Sequence, residues 1–129
     1  TGYGFIGHLK EMIDSTNLLR KDKNLNPLKV SLDLLAFKAY PGVFDLIQKG
    51  FKSSLFDSNK EIFDEIFAVN QNKRIISFSN KNQVNSEIFK DKISLLVDPQ
   101  TCGPLLISCN PKYAGFLKDE WYKVGEVIN

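Results

Sequence analysis

Apolar side chains recur along the chain with two different spacings, and these spacings set out the predicted elements. Phe5, Ile6, Leu9, Met12 and Ile13 share one face of a 3.6-residue period, so a helix is predicted straight after the opening Thr1-Gly2-Tyr3-Gly4. Residues 16–24 are polar and read as a loop. Lys29 to Asp33 alternates apolar and polar, which predicts a short strand. Leu32 to Gln48 has a helical pattern interrupted by Pro41-Gly42, so two short helices meeting there are expected. Their apolar faces come from Leu34, Leu35, Phe37, Val43, Leu46 and Ile47, and Gly50 is placed as the cap of the second.

Gly50 to Leu55 is a loop that carries Lys52, Ser53 and Ser54. Ser58 and Glu61 have the spacing of a capping box, with Ile62, Phe63, Ile66 and Phe67 following on one face. Arg74 to Ser79 reads as a strand, Asn80 to Ser86 as a polar turn, and Val84 to Phe89 as a single helical turn. Ile93 to Val97 is an apolar run suited to a buried strand. Asp98-Pro99-Gln100-Thr101-Cys102-Gly103-Pro104 breaks it, and Leu105 to Ser108 resumes as a strand. Asn110-Pro111 starts a helix with proline at its first position, and Tyr113, Phe116 and Leu117 form its expected buried side. Trp121 to Ile128 is read as a final strand. The whole predicts a single α+β domain over residues 1–129, a mixed β-sheet with helices packed on it.

Composition narrows the classes. The 129 residues are 43% hydrophobic and 25% charged, an ordinary balance for a globular domain with a real core. A net charge of +2 without a clustered basic face argues against nucleic acid. Only Arg20 and Arg74 offer bidentate recognition of phosphate or carboxylate; every other basic side chain except His8 is lysine. No run of 18 apolar residues exists to span a membrane. Cys102 and Cys109 do not make a disulfide framework, and His8 is the sole histidine, too few ligands for structural zinc. A reduced, cytoplasmic setting is expected. The chain opens with threonine inside a motif and shows no leader, so a piece of a longer protein is expected.

Two segments carry candidate chemistry. Three glycines in the first seven residues feed a helix N-terminus, where unpaired N–H groups and the positive dipole end suit phosphate; Gly2 and Gly4 would let an anion approach the backbone. The alternative is a turn required by packing. Asp98, Gln100 and Thr101 sit in a tight loop between two predicted strands. Asp98 is read either as a water-mediated magnesium contact or as a cap of its own turn. His8 is either an acid–base group or a packed structural residue. Cys102 is a candidate thiol with no cationic neighbour in sequence. Lys52 with its serines is either an anion contact or a solvated loop. Phe5, Phe37, Phe63 and Phe67 are assigned to the core.

T-G-Y-G-F-I-G-H-L (Thr1 to Leu9) and L-V-D-P-Q-T-C-G-P-L-L-I (Leu96 to Ile107) resemble the signatures of selenophosphate synthetase (selenide, water dikinase). That family carries T-G-F-G-L-x-G-H-L at the start of its C-terminal domain and D-P-Q-T-S-G-G-L-L later in it. Leu35 to Asn59 is similar to the family's segment of proline-containing helix, glycine, loop and Asn, and Val124 to Val127 (V-G-E-V) to its closing I-G-x-V. The likeness thus spans nearly the whole chain. It implies the C-terminal domain of the ATP-binding superfamily that includes aminoimidazole ribonucleotide synthetase. It further implies conversion of selenide, ATP and water to selenophosphate, AMP and phosphate.

By the same resemblance, ATP and magnesium are bound mainly by an N-terminal half that also holds the reactive residues and is absent from this sequence. This chain would line the phosphate cleft with Thr1, Gly2, Tyr3, Gly4, Asp98, Gln100, Thr101 and Gly103, and no catalytic residue would lie in it. The expected partners are that half, a second copy of the full-length protein, and selenide. Tyr3, Cys102 and Pro104 depart from the family's Phe, Ser and Gly, and Lys52-Ser53-Ser54 stands where many members have P-G-G. Pro104 removes an N–H and fixes φ. These departures and the missing half motivate a second reading, a non-catalytic regulatory or interaction module, fused for example to a flavin oxidoreductase. A third is a sister enzyme acting on another substrate, against which D-P-Q-T argues.

Overall fold

The computed structural model describes residues 2–99 and 105–128. Its architecture is α+β: a small mixed sheet covered by helices, as the alternation of periods predicts. The elements are α1 (Gly4–Asp22), β1 (Lys29–Leu32), α2 (Val43–Gln48), α3 (Phe56–Ala68), β2 (Ile76–Phe78), α4 (Ser86–Val97) and β3 (Gly125–Ile128). Strand order is β2-β1-β3. β1 runs parallel to β2, with Val30 beside Ile76, and antiparallel to β3, with Val30 beside Val127.

The core lies where α1, α3 and α4 meet the sheet. Ile6, Leu9 and Ile13 of α1 are buried with Phe63 and Ile66 of α3, Ile93, Leu96 and Val97 of α4, and Val30, Leu32 and Ile76 of the sheet. Phe37 is buried, while Phe5 and Phe67 are half-buried against the same cluster. Rings also link elements: Phe67, stacked on Phe63 within α3 at 4.4 Å, stacks on Phe78 of β2 at 5.2 Å, and Phe78 meets Phe89 of α4 edge-on at 5.7 Å.

A buried amide and a lysine hold the irregular connections. Asn80 accepts from the Leu34 N–H at 3.0 Å and donates to the Asp33 carboxylate, which also accepts from the Leu35 and Ala36 amides. Lys92 of α4 donates to the Phe37 carbonyl. Burial holds the Lys92 ammonium below the ordinary lysine range, and the Asp33 charge pulls it partly back.

Several sequence expectations are corrected. Residues 16–22 are not loop but the last two turns of α1. Their polarity marks an exposed face, on which Asn17 clamps both backbone groups of Leu28, at 2.7 and 2.9 Å. The helix stops where Asn24 takes a left-handed φ of 52° and the Leu25 and Asn24 amides bond back to Arg20 and Lys21. Ile93 to Val97 is not a strand but the end of α4, started by the Asn85 side chain accepting from the Ile88 N–H at 2.8 Å. An apolar run of strand length is equally a buried helix turn, and the spacing of Ile93, Leu96 and Val97 suits the helix.

The first of the two helices expected around Pro41-Gly42 is only a 3-10 turn, Leu34–Ala36; α2 is the second, and Gly50 ends it as expected, at φ 84°. The capping box is absent. α3 starts two residues earlier, and the Ser58 hydroxyl donates to the Leu55 carbonyl instead. Leu105 to Ser108 has no regular structure, and the sheet holds only β2, β1 and β3 among the described residues. Pro111–Phe116 forms a 3-10 helix whose Tyr113 and Phe116 are exposed rather than buried, Phe116 at 83%.

Candidate functional site

The site grows out of one close approach. Gly4 opens α1 at φ 64°, and a Cβ built there would stand 2.3 Å from the Val97 carbonyl oxygen. Only glycine combines that φ with that proximity. The start of α1 therefore rests directly on the last residue of α4, and the first glycine motif lies beside the segment leading into Asp98. Gly7 serves the same turn: its Cβ would fall 2.6 Å from that of Tyr3, one turn back.

Asn59 ties the two segments together. It falls on the apolar stripe of α3 with Phe63 and Ile66 and is only 6% exposed. Its amide nitrogen donates to the Gly2 carbonyl at 2.8 Å and to the Val97 carbonyl at 3.1 Å. The loop before α3 joins the cluster where the Ser53 N–H donates to Asp98 Oδ1 at 3.0 Å. Asp98 thus clips a distant loop. The Ser53 hydroxyl is buried beside this contact and has no hydrogen-bond partner among the described residues.

The first turn of α1 faces this cluster without negative charge. Its N-cap, Tyr3, makes no side-chain cap bond, and no acidic residue occupies the turn. The first turn carries the positive end of the helix dipole, and Gly4 in it packs against the carbonyls of Leu96 and Val97.

Not every predicted residue comes to the cluster as expected. Gly2, Tyr3, Gly4 and Asp98 do gather at the α1–α4 junction. Lys52 is adjacent in sequence to the Asp98 clip, but its ammonium pairs with both Asp57 oxygens at 2.7 and 2.8 Å and lies over the Phe56 ring. His8 sits a turn further along α1, edge-on to the Tyr3 ring at 5.7 Å and with Nδ1 3.3 Å from Glu11 Oε2. Thr1, Gln100, Thr101, Cys102, Gly103 and Pro104 lie outside the described residues.

Recesses elsewhere do not adjoin the cluster. One of about 210 Å³ is lined by Lys10, Ile66, Val69 and Arg74, and another of about 570 Å³ by Asn17, Leu18 and Leu25. Among the described residues no three His, Cys, Asp or Glu side chains gather as metal ligands. No helix among them is long and apolar enough to cross a membrane.

No protein-family model, curated protein or solved structure matches the chain. The functional reading therefore depends on the two motifs and on the contact between them. The residue that makes that contact, Asn59, entered the sequence reading only as the Asn that closes the segment similar to the family's. The signal was present as a lone amide on the apolar stripe of α3, where a polar side chain is retained only if it finds partners.

Proposed function

We propose that the chain is the C-terminal domain of a selenide, water dikinase with the fold of the aminoimidazole ribonucleotide synthetase C-terminal domain. It would act with an ATP-binding half and line the cleft that holds the triphosphate. One observation carries the reading. Gly2 of the first motif that resembles the family and Val97 of the second meet at the α1–α4 junction, where Asn59 bonds to both.

The residues of the junction fit a phosphate group. Gly2 lacks a side chain, the first turn of α1 has no acidic residue, and its amides carry the favourable end of the dipole, while Gly4 serves the packing of that turn on Val97. Magnesium would meet Asp98 singly, with the remaining ligands coming from the other half, from water and from phosphate oxygens. When bound, the ion neutralises charge that develops on the transferred phosphoryl group. The part of this chain is positioning: a rigid backbone wall against which phosphate is oriented for in-line displacement.

The test uses the native gene product, isolated from its source cells and weighed intact. A mass well above 14.7 kDa, with AMP and selenophosphate formed only when selenide accompanies ATP and magnesium, is the expected result. ATP turnover indifferent to selenide would overturn it.

A second reading is favoured by a different observation. Leu105 is 79% exposed, and Tyr113, Phe116 and Tyr122 are exposed in the same stretch, a surface suited to a protein partner. In that reading the chain is an interaction module that has kept the fold without the chemistry. A native mass near 14.7 kDa and no nucleotide turnover would favour it.

A further inference from the structure

We infer that Asn59 is the positioning residue of the cleft: it fixes the glycine turn relative to the Asp98 loop, so that both walls hold one spacing. This rests on the cleft reading above. α3 places position 59 inward, one turn before Phe63, where leucine would satisfy the hydrophobic pattern. The chain instead holds a buried amide there, with its NH₂ group divided between two acceptors from opposite parts of the sequence.

Both acceptors need such a donor. The Val97 carbonyl ends α4, where the last C=O groups have no intrahelical partner. The Gly2 carbonyl precedes α1 and lies in the turn itself. A single planar NH₂ group reaching both sets their separation, because its two hydrogens diverge at a fixed angle. Gly4 sets the closest approach of the same two segments through its contact with the Val97 oxygen. Gly4 therefore lets the walls touch, and Asn59 keeps them from sliding.

The Ser53–Asp98 clip extends this frame to a third segment. Asn59 lies one turn into α3, just after that loop, so one side chain registers the loop before α3, the start of α1 and the end of α4. Asn59 itself need not touch nucleotide. Its effect on a ligand would pass through the backbone groups that it holds.

The experiment compares the native gene product with its Asn59→Asp and Asn59→Leu variants. Asp keeps the shape but donates no hydrogen bond when ionised; Leu keeps the apolar stripe. Two readouts are taken on protein shown by circular dichroism to be folded. Amide exchange at Leu9 and Lys10, the amides that close the first turns of α1, should quicken about tenfold in both variants, while Ile76 in the sheet is unchanged. The KM for magnesium–ATP should rise about tenfold or more, since a 1 Å misplacement costs rates of that order or greater. A merely structural asparagine would lower the melting temperature and leave KM where it was, and that result would overturn the inference. Unchanged exchange at Leu9 and Lys10 would overturn it equally. A wild-type protein that neither binds nor turns over magnesium–ATP would instead remove the cleft reading, and with it a positioning role toward nucleotide.

Discussion

Replacing Gly4 by alanine tests the junction most directly. The added methyl group meets two separate penalties. At φ 64° any L-residue sits in the left-handed region, which costs about 1 kcal/mol. The methyl would also stand 2.3 Å from the Val97 oxygen and 2.8 Å from its carbonyl carbon, and real Cβ atoms essentially never come within 3.0 Å. The atoms in its way are backbone, so relief requires α1 or α4 to shift, and forced overpacking of this kind costs roughly 1–3 kcal/mol. The sum is about 2–4 kcal/mol, a large share of the roughly 5–15 kcal/mol that holds a domain folded. In a domain of this size that lowers the melting temperature by roughly 6–20 °C.

Gly42→Ala supplies the control. Its φ is 84°, and nothing lies within 4 Å of its Cβ, so it carries the backbone penalty alone, about 1 kcal/mol. Urea titrations followed by circular dichroism should give an unchanged m-value in both variants and a lower midpoint for Gly4→Ala by at least about 1 kcal/mol. Equal losses, within about 0.5 kcal/mol, would mean that α1 does not rest on the end of α4.

Three further outcomes follow from other contacts. Asn80→Ala leaves the buried Leu34 N–H without its acceptor and should cost about 1–3 kcal/mol in the same titration; a loss under about 0.5 kcal/mol would refute that role. Asp33→Asn keeps an oxygen for the Leu35 and Ala36 amides but removes the charge that raises the Lys92 pKa, so the Lys92 ε-carbon should titrate at still lower pH by NMR. Because folding lowers that pKa, the ammonium opposes folding below the folded value, and the opposition fades as pH rises toward the ordinary 10.5; an upward shift in Asp33→Asn would contradict the geometry. Lys123→Met should let the Glu126 carboxyl return upward toward its ordinary value, since first the Lys123 hydrogen bond and then its charge hold it down. That pair favours folding above the ordinary carboxylate pKa and loses its effect as pH falls through the lowered one, which carboxyl NMR will follow.

The parts of the fold that were legible from sequence are those set by local chemistry. Lys29 to Asp33 alternates and is β1 to within a residue; Gly50 ends α2; the Phe63–Ile66 stripe faces the core. Where the outcome depended on a distant partner, pattern misled. Ile93 to Val97 as a short apolar run satisfies a strand and a helix alike, and the Asn85 cap with packing on α1, α2 and α3 goes with the helix. Leu105 to Ser108 has a strand pattern but pairs with no strand among the described residues. Ser58 and Glu61 had the capping spacing, yet the helix began before them. At the candidate site the glycines and Asp98 were visible as motifs. Their meeting was not, because it depends on Asn59, whose two partners lie 57 and 38 residues away.

The order of strands in the sheet has a consequence for how the chain is made. β1 is the middle strand, and both of its neighbours are synthesised after it; Ile128, the partner of Lys29, emerges 99 residues later. At about 5–20 residues per second, a ribosome leaves β1 without its antiparallel neighbour for roughly 5–20 s. For that interval Val30 and Leu32 belong to an unfinished edge, of the kind that pairs with other chains. α1, already complete on the N-terminal side, and later α3 and α4 give its apolar face early cover. A nascent chain of this protein should therefore engage holding chaperones until β3 clears the exit tunnel.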